Sequence, residues 1–208
     1  MQEIILASAS PRRQQLLEQI GLPYLAAAAD VDESLIEKSS APELVKQLAR
    51  RKAEQAARVW QDAIVIAADT MVILDEHIMG KPVDREDAFY KLSLLSGRHH
   101  KVMTGLCIMN RSRGICDTQV ESTDVYFRTL RPQEINAYLD WGEWADKAGG
   151  YGIQGKGALL IEKIEGCYFN VVGLPINRLY IMLGKQGVHL LGGKTPDGLP
   201  VWDQGHAP

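Results

Sequence analysis

The run AIVIAADT, residues 63–70, constrains this chain more than any other stretch. Its opening apolar residues have the length of a buried strand, and MVILDEHIMG carries the run on through a turn at Asp75 and Glu76. A carboxylate and a hydroxyl, Asp69 and Thr70, close it. In open α/β sheets, ligands gather outside the carboxyl ends of strands, where a carboxylate can hold a metal or act as a general base. An aspartate ending a strand is equally often a turn former, so the pair alone leaves both readings open.

Around this strand, helices and strands alternate. EIILAS reads as a short buried strand feeding a helix that starts at Pro11, with Ser10 as N-cap, and ends near Gly21. LPYLAAAADVDES is extended and runs into an acidic loop. SAPE has the form of a capping box for a helix over about residues 42–60, where Leu44, Val45, Leu48, Ala49, Ala53, Ala56 and Val59 recur at helical spacing. Lys52 lies beside that stripe. Asp84 opens a helix over residues 86–95, closed by SGR; HKVMTGLCIMN and GICDTQVESTDVYFR are antiparallel strands joined by NRSRG; Pro132 starts a short helix to about Tyr138. KAGGYGIQGKG carries five glycines and suits neither a helix nor a strand interior. ALLIEKIEGCYFNVVGLP reads as a hairpin turning at EG, and residues 175–183 as a last helix. Helices alternate with strands early and strands cluster later, which predicts an α/β fold with a mixed β-sheet flanked by helices.

The length of 208 residues suits one domain, placed at residues 1–185, with a glycine- and proline-rich tail over 186–208. A formal charge of -3 gives no sign of a nucleic-acid binder. Any phosphate is therefore held by a local cluster. Three cysteines without a C-x-x-C pair indicate neither a disulfide framework nor a zinc site, and a reducing cytoplasm is the expected location. No apolar run approaches the ~18 residues of a membrane span.

Four features place polar residues where folding alone does not ask for them. The first is LASASPRRQQLL, in which Ser8, Ser10, Arg12 and Arg13 surround a strand-to-helix junction. Two arginines in a first turn oppose the helix macrodipole unless an anion arrives, and free amides beside guanidinium groups form a phosphate site. Solvated surface arginines are the competing reading. The second feature is Asp69 with Thr70. The third is VDES, where Asp32 and Glu33 offer the hard oxygen ligands that Mg²⁺ prefers, or simply a solvated loop. The fourth is Lys52 with Lys81 of MGKP, which together with the arginines would match the charge of a triphosphate; nothing local requires the four to converge. His99 and His100 point to opposite faces of a strand and do not co-ligate a metal easily. No G-x-S-x-G supports a serine hydrolase, and no P-loop occurs.

With these residues in view, the sequence resembles the Maf family of nucleoside triphosphate pyrophosphatases over about residues 4–183, through LASASPRR, VDE, LARRKAE, AADT, GKP, TGL, DVYFR, KAGGYGIQG and VVGLP. The resemblance implies an elongated mixed α/β fold of the ITPase-like kind, a divalent metal such as Mg²⁺ or Mn²⁺, a nucleotide substrate cleaved to its monophosphate and pyrophosphate, and often a homodimer. It places the catalytic aspartate at Asp69, phosphate-binding and polar positions at Ser8, Arg13, Lys52 and Lys81, and metal ligands at Glu33 and Asp69. It also implies the branch acting on dTTP and UTP, which is similar at Arg12, Thr70 and Gln154. The 7-methyl-GTP branch differs at the opening motif and carries an acidic residue near the Gln154 position. A nucleotide sensor without turnover is a further reading, disfavoured by the intact Asp69.

Overall fold

The structure, a computed structural model, describes residues 2–29, 31 and 40–191. These residues build a seven-stranded mixed sheet from β1 (Ile4–Leu6), β2 (Leu25–Ala26), β3 (Ile64–Leu74), β4 (His77–Met79), β5 (His99–Asn110), β6 (Ile115–Phe127) and β7 (Ile161–Glu165). The helices are α1 (Pro11–Gln19), α2 (Ala41–Val59), α3 (Arg85–Leu95), α4 (Pro132–Leu139), α5 (Tyr168–Val172) and α6 (Ile176–Gly184). The strand order is β2-β1-β3-β5-β6-β7, with β4 on β3. The mixed α/β class read from the sequence is the one observed.

β3 organises the rest because side chains alternate across a strand. Ile64, Ile66 and Ala68 point into a core with Leu16 and Leu17 of α1 and Leu179 and Leu183 of α6, while Val72 and Leu74, on the same face, enter a second core with α3 and α4. On the opposite face Val65 and Ala67 pack under Ala49, Ala53 and Ala57 of α2, and Met71 and Ile73 under Val45 and Leu48. Each face's apolar row is broken once, by Asp69 on the α2 face and by Thr70 on the other. Both interruptions fall where one apolar cluster gives way to the next.

The sheet edge opens at the same place. β1 pairs in parallel with β3 as far as Leu6 opposite Ile66, and β4 pairs antiparallel with it only from Val72 onward. Both lie on the side of β3 away from β5, so on that edge the intervening backbone carrying Asp69 and Thr70 has no strand beside it among the described residues. The sequence reading put this pair at a strand's end. It lies in mid-strand, and the edge gap supplies the access that a strand terminus would have given.

Gly105 sits opposite Asp69 in the β3–β5 register. A Cβ there would meet the Val45 carbonyl oxygen at 2.1 Å and its carbon at 2.4 Å, so the bare glycine lets α2 settle directly on the sheet. Lys52 lies seven residues past Val45, on the same helix face, and is carried down to Asp69. Gly105→Ala is expected to destabilise the protein by about 1–3 kcal/mol, the usual cost of overpacking, because the obstacle is main chain and cannot rotate away. Urea unfolding measures this; unchanged stability would show that α2 has room to lift.

Two local expectations are corrected. The SAPE capping box does not form: Ser40 stands at the N-cap, but its side chain makes no capping bond, and Glu43 turns to Lys46 at 3.7 Å. The hairpin expected at EG is also absent. After Gly166 the amide of Cys167 bonds the Thr123 hydroxyl at 3.0 Å and the chain coils into α5, since β7 already occupies that edge of β6. The tail expected over 186–208 lies outside the described residues from 192 onward, while Val188 still packs in the core.

Candidate active site

A cavity of about 950 Å³ opens at the gap beside β3. Ser8, Ser10, Arg12, Arg13, Lys52, Asp69, Thr70, Lys81 and Gln154, far apart in sequence, all line it. The convergence that the lysines and arginines could not reveal locally is therefore present. Glu33 and Asp32 lie outside the described residues.

Asp69 is 8% exposed, and the Lys52 ammonium contacts its Oδ1. Among the described residues its Oδ2 makes no hydrogen bond. The helix start lies on the other side of the gap. Pro11 begins α1 and Ser10 makes no side-chain cap, so the Arg12 and Arg13 amides, which lack intrahelical partners, are left for an anion.

Arg13 is fixed by its own fork. Nε donates to the Gly173 carbonyl at 2.8 Å, Nη1 to Ser8 Oγ at 3.1 Å and Nη2 to Thr70 Oγ1 at 3.1 Å. A relay orients the last acceptor: Thr104 Oγ1 donates to the Asn170 carbonyl at 3.2 Å, which leaves the Thr70 hydroxyl to donate to Thr104 at 2.9 Å and its oxygen to accept from Arg13. Asn170 is held in turn by Nδ2 bonds to the Val102 carbonyl and Thr123 Oγ1, each 2.9 Å. Burial lowers the Arg13 pKa from its ordinary value, Asp69 opposes that shift, and Arg12 adds to it. A dianionic or trianionic ligand would relieve the crowding.

Arg12 points elsewhere. Its Nη1 donates to Asp146 at 2.8 Å, and Asp146 also holds Lys147 at 2.6 Å. Partial burial pushes the Asp146 carboxyl up, but hydrogen bonds from Lys147 and Arg12 outweigh it and hold the pKa at about 2. Lys81 is exposed at the rim, on the segment after β4, and Gln154 stands at the start of a 3₁₀ turn, Gly155–Leu160. The cavity is thus polar at the β1–α1 end and apolar toward Val72, Ile78, Met79, Val102 and Ile153.

Sequence reasoning missed Thr104, Asn170, Asp146 and the Gly173 carbonyl. The signal was available in part: TGL and VVGLP contain two of them, Thr104 and Gly173. Their role is to aim another side chain, which spacing does not show.

His100 lies behind the cavity, 2% exposed, and burial pushes its pKa down to about 4, with His99 lowering it further and Asp124 opposing. Its ring touches Tyr151 and Phe127. Between pH 4 and the ordinary value near 6.5 the unfolded chain binds the proton and the folded one does not. Stability contributed by neutral His100 is therefore complete above about pH 6.5 and declines as pH falls toward 4, by about 3 kcal/mol in all. Urea unfolding at pH 7 and pH 4.5, in the parent and in His100→Phe, measures this: the parent's loss should shrink in the variant. An equal loss in both would assign the pH dependence to other groups.

A sequence profile described as Maf-like protein matches residues 3–186. A dTTP/UTP pyrophosphatase of Syntrophomonas wolfei is 47% identical over 186 residues, covering 89% of this chain and 98% of that protein. One of Desulforamulus reducens is 47% identical over 191 residues, covering 92% and 100%. Among solved structures, the Staphylococcus aureus Ham1 protein superposes with a TM-score of 0.52 at 16% identity, over 89% of this chain and all of that one, a likeness of fold.

Proposed function

This chain belongs to the Maf family, and from that premise we propose that it is a nucleoside triphosphate pyrophosphatase that hydrolyses dTTP and UTP to the nucleoside monophosphate and pyrophosphate. The observation that carries the reading is the meeting, in one cavity, of Asp69 with the Arg12, Thr70 and Gln154 that the family resemblance ties to dTTP and UTP. The relatives in Syntrophomonas wolfei and Desulforamulus reducens carry that activity in their names.

In this reading the triphosphate lies at the β1–α1 end, held by the free amides of α1, Arg13, Lys52 and Lys81. Asp69 orients the attacking water and takes its proton, and the bridging oxygen leaves with pyrophosphate. The lysines and arginines balance the charge that collects on the leaving group, the main task in phosphoryl transfer. Arg13 is pre-aimed by Ser8, Thr70 and Gly173 and needs no reorganisation to serve.

Asp69 suits a divalent cation, Mg²⁺ or Mn²⁺, that enters with the triphosphate. Its Oδ2 is unengaged among the described residues, and Mg²⁺ commonly takes one or two carboxylates plus phosphate oxygens and water. When bound, the cation withdraws charge from the phosphate oxygens. Among the described residues no three His, Cys, Asp or Glu side chains gather into a separate metal cage. Glu33 is the second ligand in the proposal. A cytoplasmic homodimer completes it; no helix among the described residues is long and apolar enough to cross a membrane, and light scattering tests the dimer.

Gln154 reads the base. Uracil and thymine present an N3–H donor beside carbonyl acceptors, which a carboxamide can pair with twice; cytosine inverts the pattern and pairs only with the flipped amide, so its rejection requires the Gln154 amide to be held in the uracil-pairing orientation. Pyrophosphate release from a panel of dTTP, UTP, CTP, GTP and 7-methyl-GTP is the test. dTTP and UTP are expected well ahead of the rest, and Gln154→Glu should lower activity on them about tenfold by setting an acceptor against a carbonyl. Equal rates on CTP or GTP, or an unchanged profile in the variant, would show that this position does not read the base.

A further inference from the structure

The base-reading segment has an unusual attachment. In AGGYGIQG, residues 148–155, glycines 149, 150 and 152 surround Tyr151. Gly149 and Gly150 have φ of +70° and +75°, and a Cβ on Gly157 would meet the Gly152 carbonyl oxygen at 1.8 Å. Such a backbone path requires glycine, and glycine leaves no side chain to hold the path in place. Outside the regular elements, main-chain bonds hold its beginning, Gly149 N to the Gly80 carbonyl at 3.2 Å and Gly150 N to that of Lys147 at 3.0 Å, and its end passes into the 3₁₀ turn Gly155–Leu160.

Tyr151 supplies what the glycines cannot. It is 5% exposed, lines the cavity, and sits edge-on to Phe127 at 4.7 Å and to His100 at 5.3 Å between ring centroids. Its hydroxyl shares a 2.5 Å hydrogen bond with His100 Nε2. His100 stands on β5, on the same face as Val102 and Thr104, within the sheet that also carries Asp69 and Thr70. Among the described residues His100 Nδ1 has no partner, so the Tyr151 hydroxyl is the ring's one polar contact.

We propose that His100 and Tyr151 are positioning residues for nucleotide specificity: their buried hydrogen bond pins the glycine segment to β5 and so fixes the distance of Gln154 from the phosphate-binding end. The proposal rests on the reading of Gln154 above. Neither residue touches the reacting atoms. Neutral His100 is the state that the apolar surroundings favour, and a neutral imidazole can accept from, or donate to, the tyrosine.

The test uses Tyr151→Phe, which keeps the ring and its packing, together with His100→Leu and His100→Gln, whose amide reaches the position of Nε2. Amide hydrogen exchange is followed along the whole chain of each, and steady-state kinetics are measured with UTP and CTP. In Tyr151→Phe and His100→Leu, exchange at residues 149–155 should accelerate about tenfold while β3 and β5 keep their protection. The KM for UTP should rise about tenfold, with kcat within about threefold of the parent. The double variant should be no worse than either single one, and His100→Gln should recover most of the loss. Exchange unchanged in Tyr151→Phe, or accelerated equally in β3 and β5, would overturn the proposal. The exchange readout needs no substrate, so it decides the anchor even where the parent's own UTP and CTP rates, or the Gln154→Glu profile, contradict the base-reading assignment.

Discussion

Asp69→Asn is expected to lower dTTP and UTP hydrolysis by about 10²- to 10⁴-fold while the protein stays folded, the span that loss of a positioned general base produces. Asparagine preserves the shape and leaves an oxygen for Lys52, which contacts Oδ1 in the parent. What disappears is the negative charge, and with it both proton acceptance and the attraction for a cation. Nucleotide binding should survive better than turnover, since Arg13 and the start of α1 are untouched. A variant that melts like the parent and keeps more than about a tenth of its rate would remove Asp69 from the chemistry.

Arg13→Lys should be nearly as damaging, with kcat/KM falling about 10²- to 10³-fold, the usual effect of removing one donor from a charge-stabilising site. Lysine keeps the charge but has no planar fork. It cannot reach the Gly173 carbonyl, Ser8 Oγ and Thr70 Oγ1 at once, so the cation is no longer aimed. Binding of a non-hydrolysable UTP analogue should weaken far more than binding of uridine. Equal losses for the two ligands would place Arg13 away from the phosphates, and a lysine variant with the parent's kcat/KM would show that aim is unimportant.

Both sites were partly legible in the chain. A continuous apolar run announced β3 and apolar residues at helical spacing announced α2, and the conflict between two arginines and a helix N-terminus announced the phosphate end. What spacing could not give was convergence. Lys52 meets Asp69 only because Gly105 admits α2 to the sheet, a fact of tertiary packing. Asp69 was legible as a polar break in an apolar run, yet its accessibility depends on where β1 stops and β4 starts along one edge. CYFNVVGLP misled because a short apolar run with β-branched residues suits a strand as well as a buried helical turn; its polar member, Asn170, faces inward and completes the Arg13 support. His99 and His100 face opposite sides of β5, one exposed and one buried, but the partner of His100, Tyr151, lies 51 residues away and no local pattern links them.

Which bond is broken is read most directly from the products of UTP hydrolysis by the parent protein with Mg²⁺. Phosphorus NMR of the reaction should show UMP and pyrophosphate appearing together in equal amounts, with no UDP at any time. UDP with inorganic phosphate, or UTP left intact through many hours at micromolar protein, would contradict it.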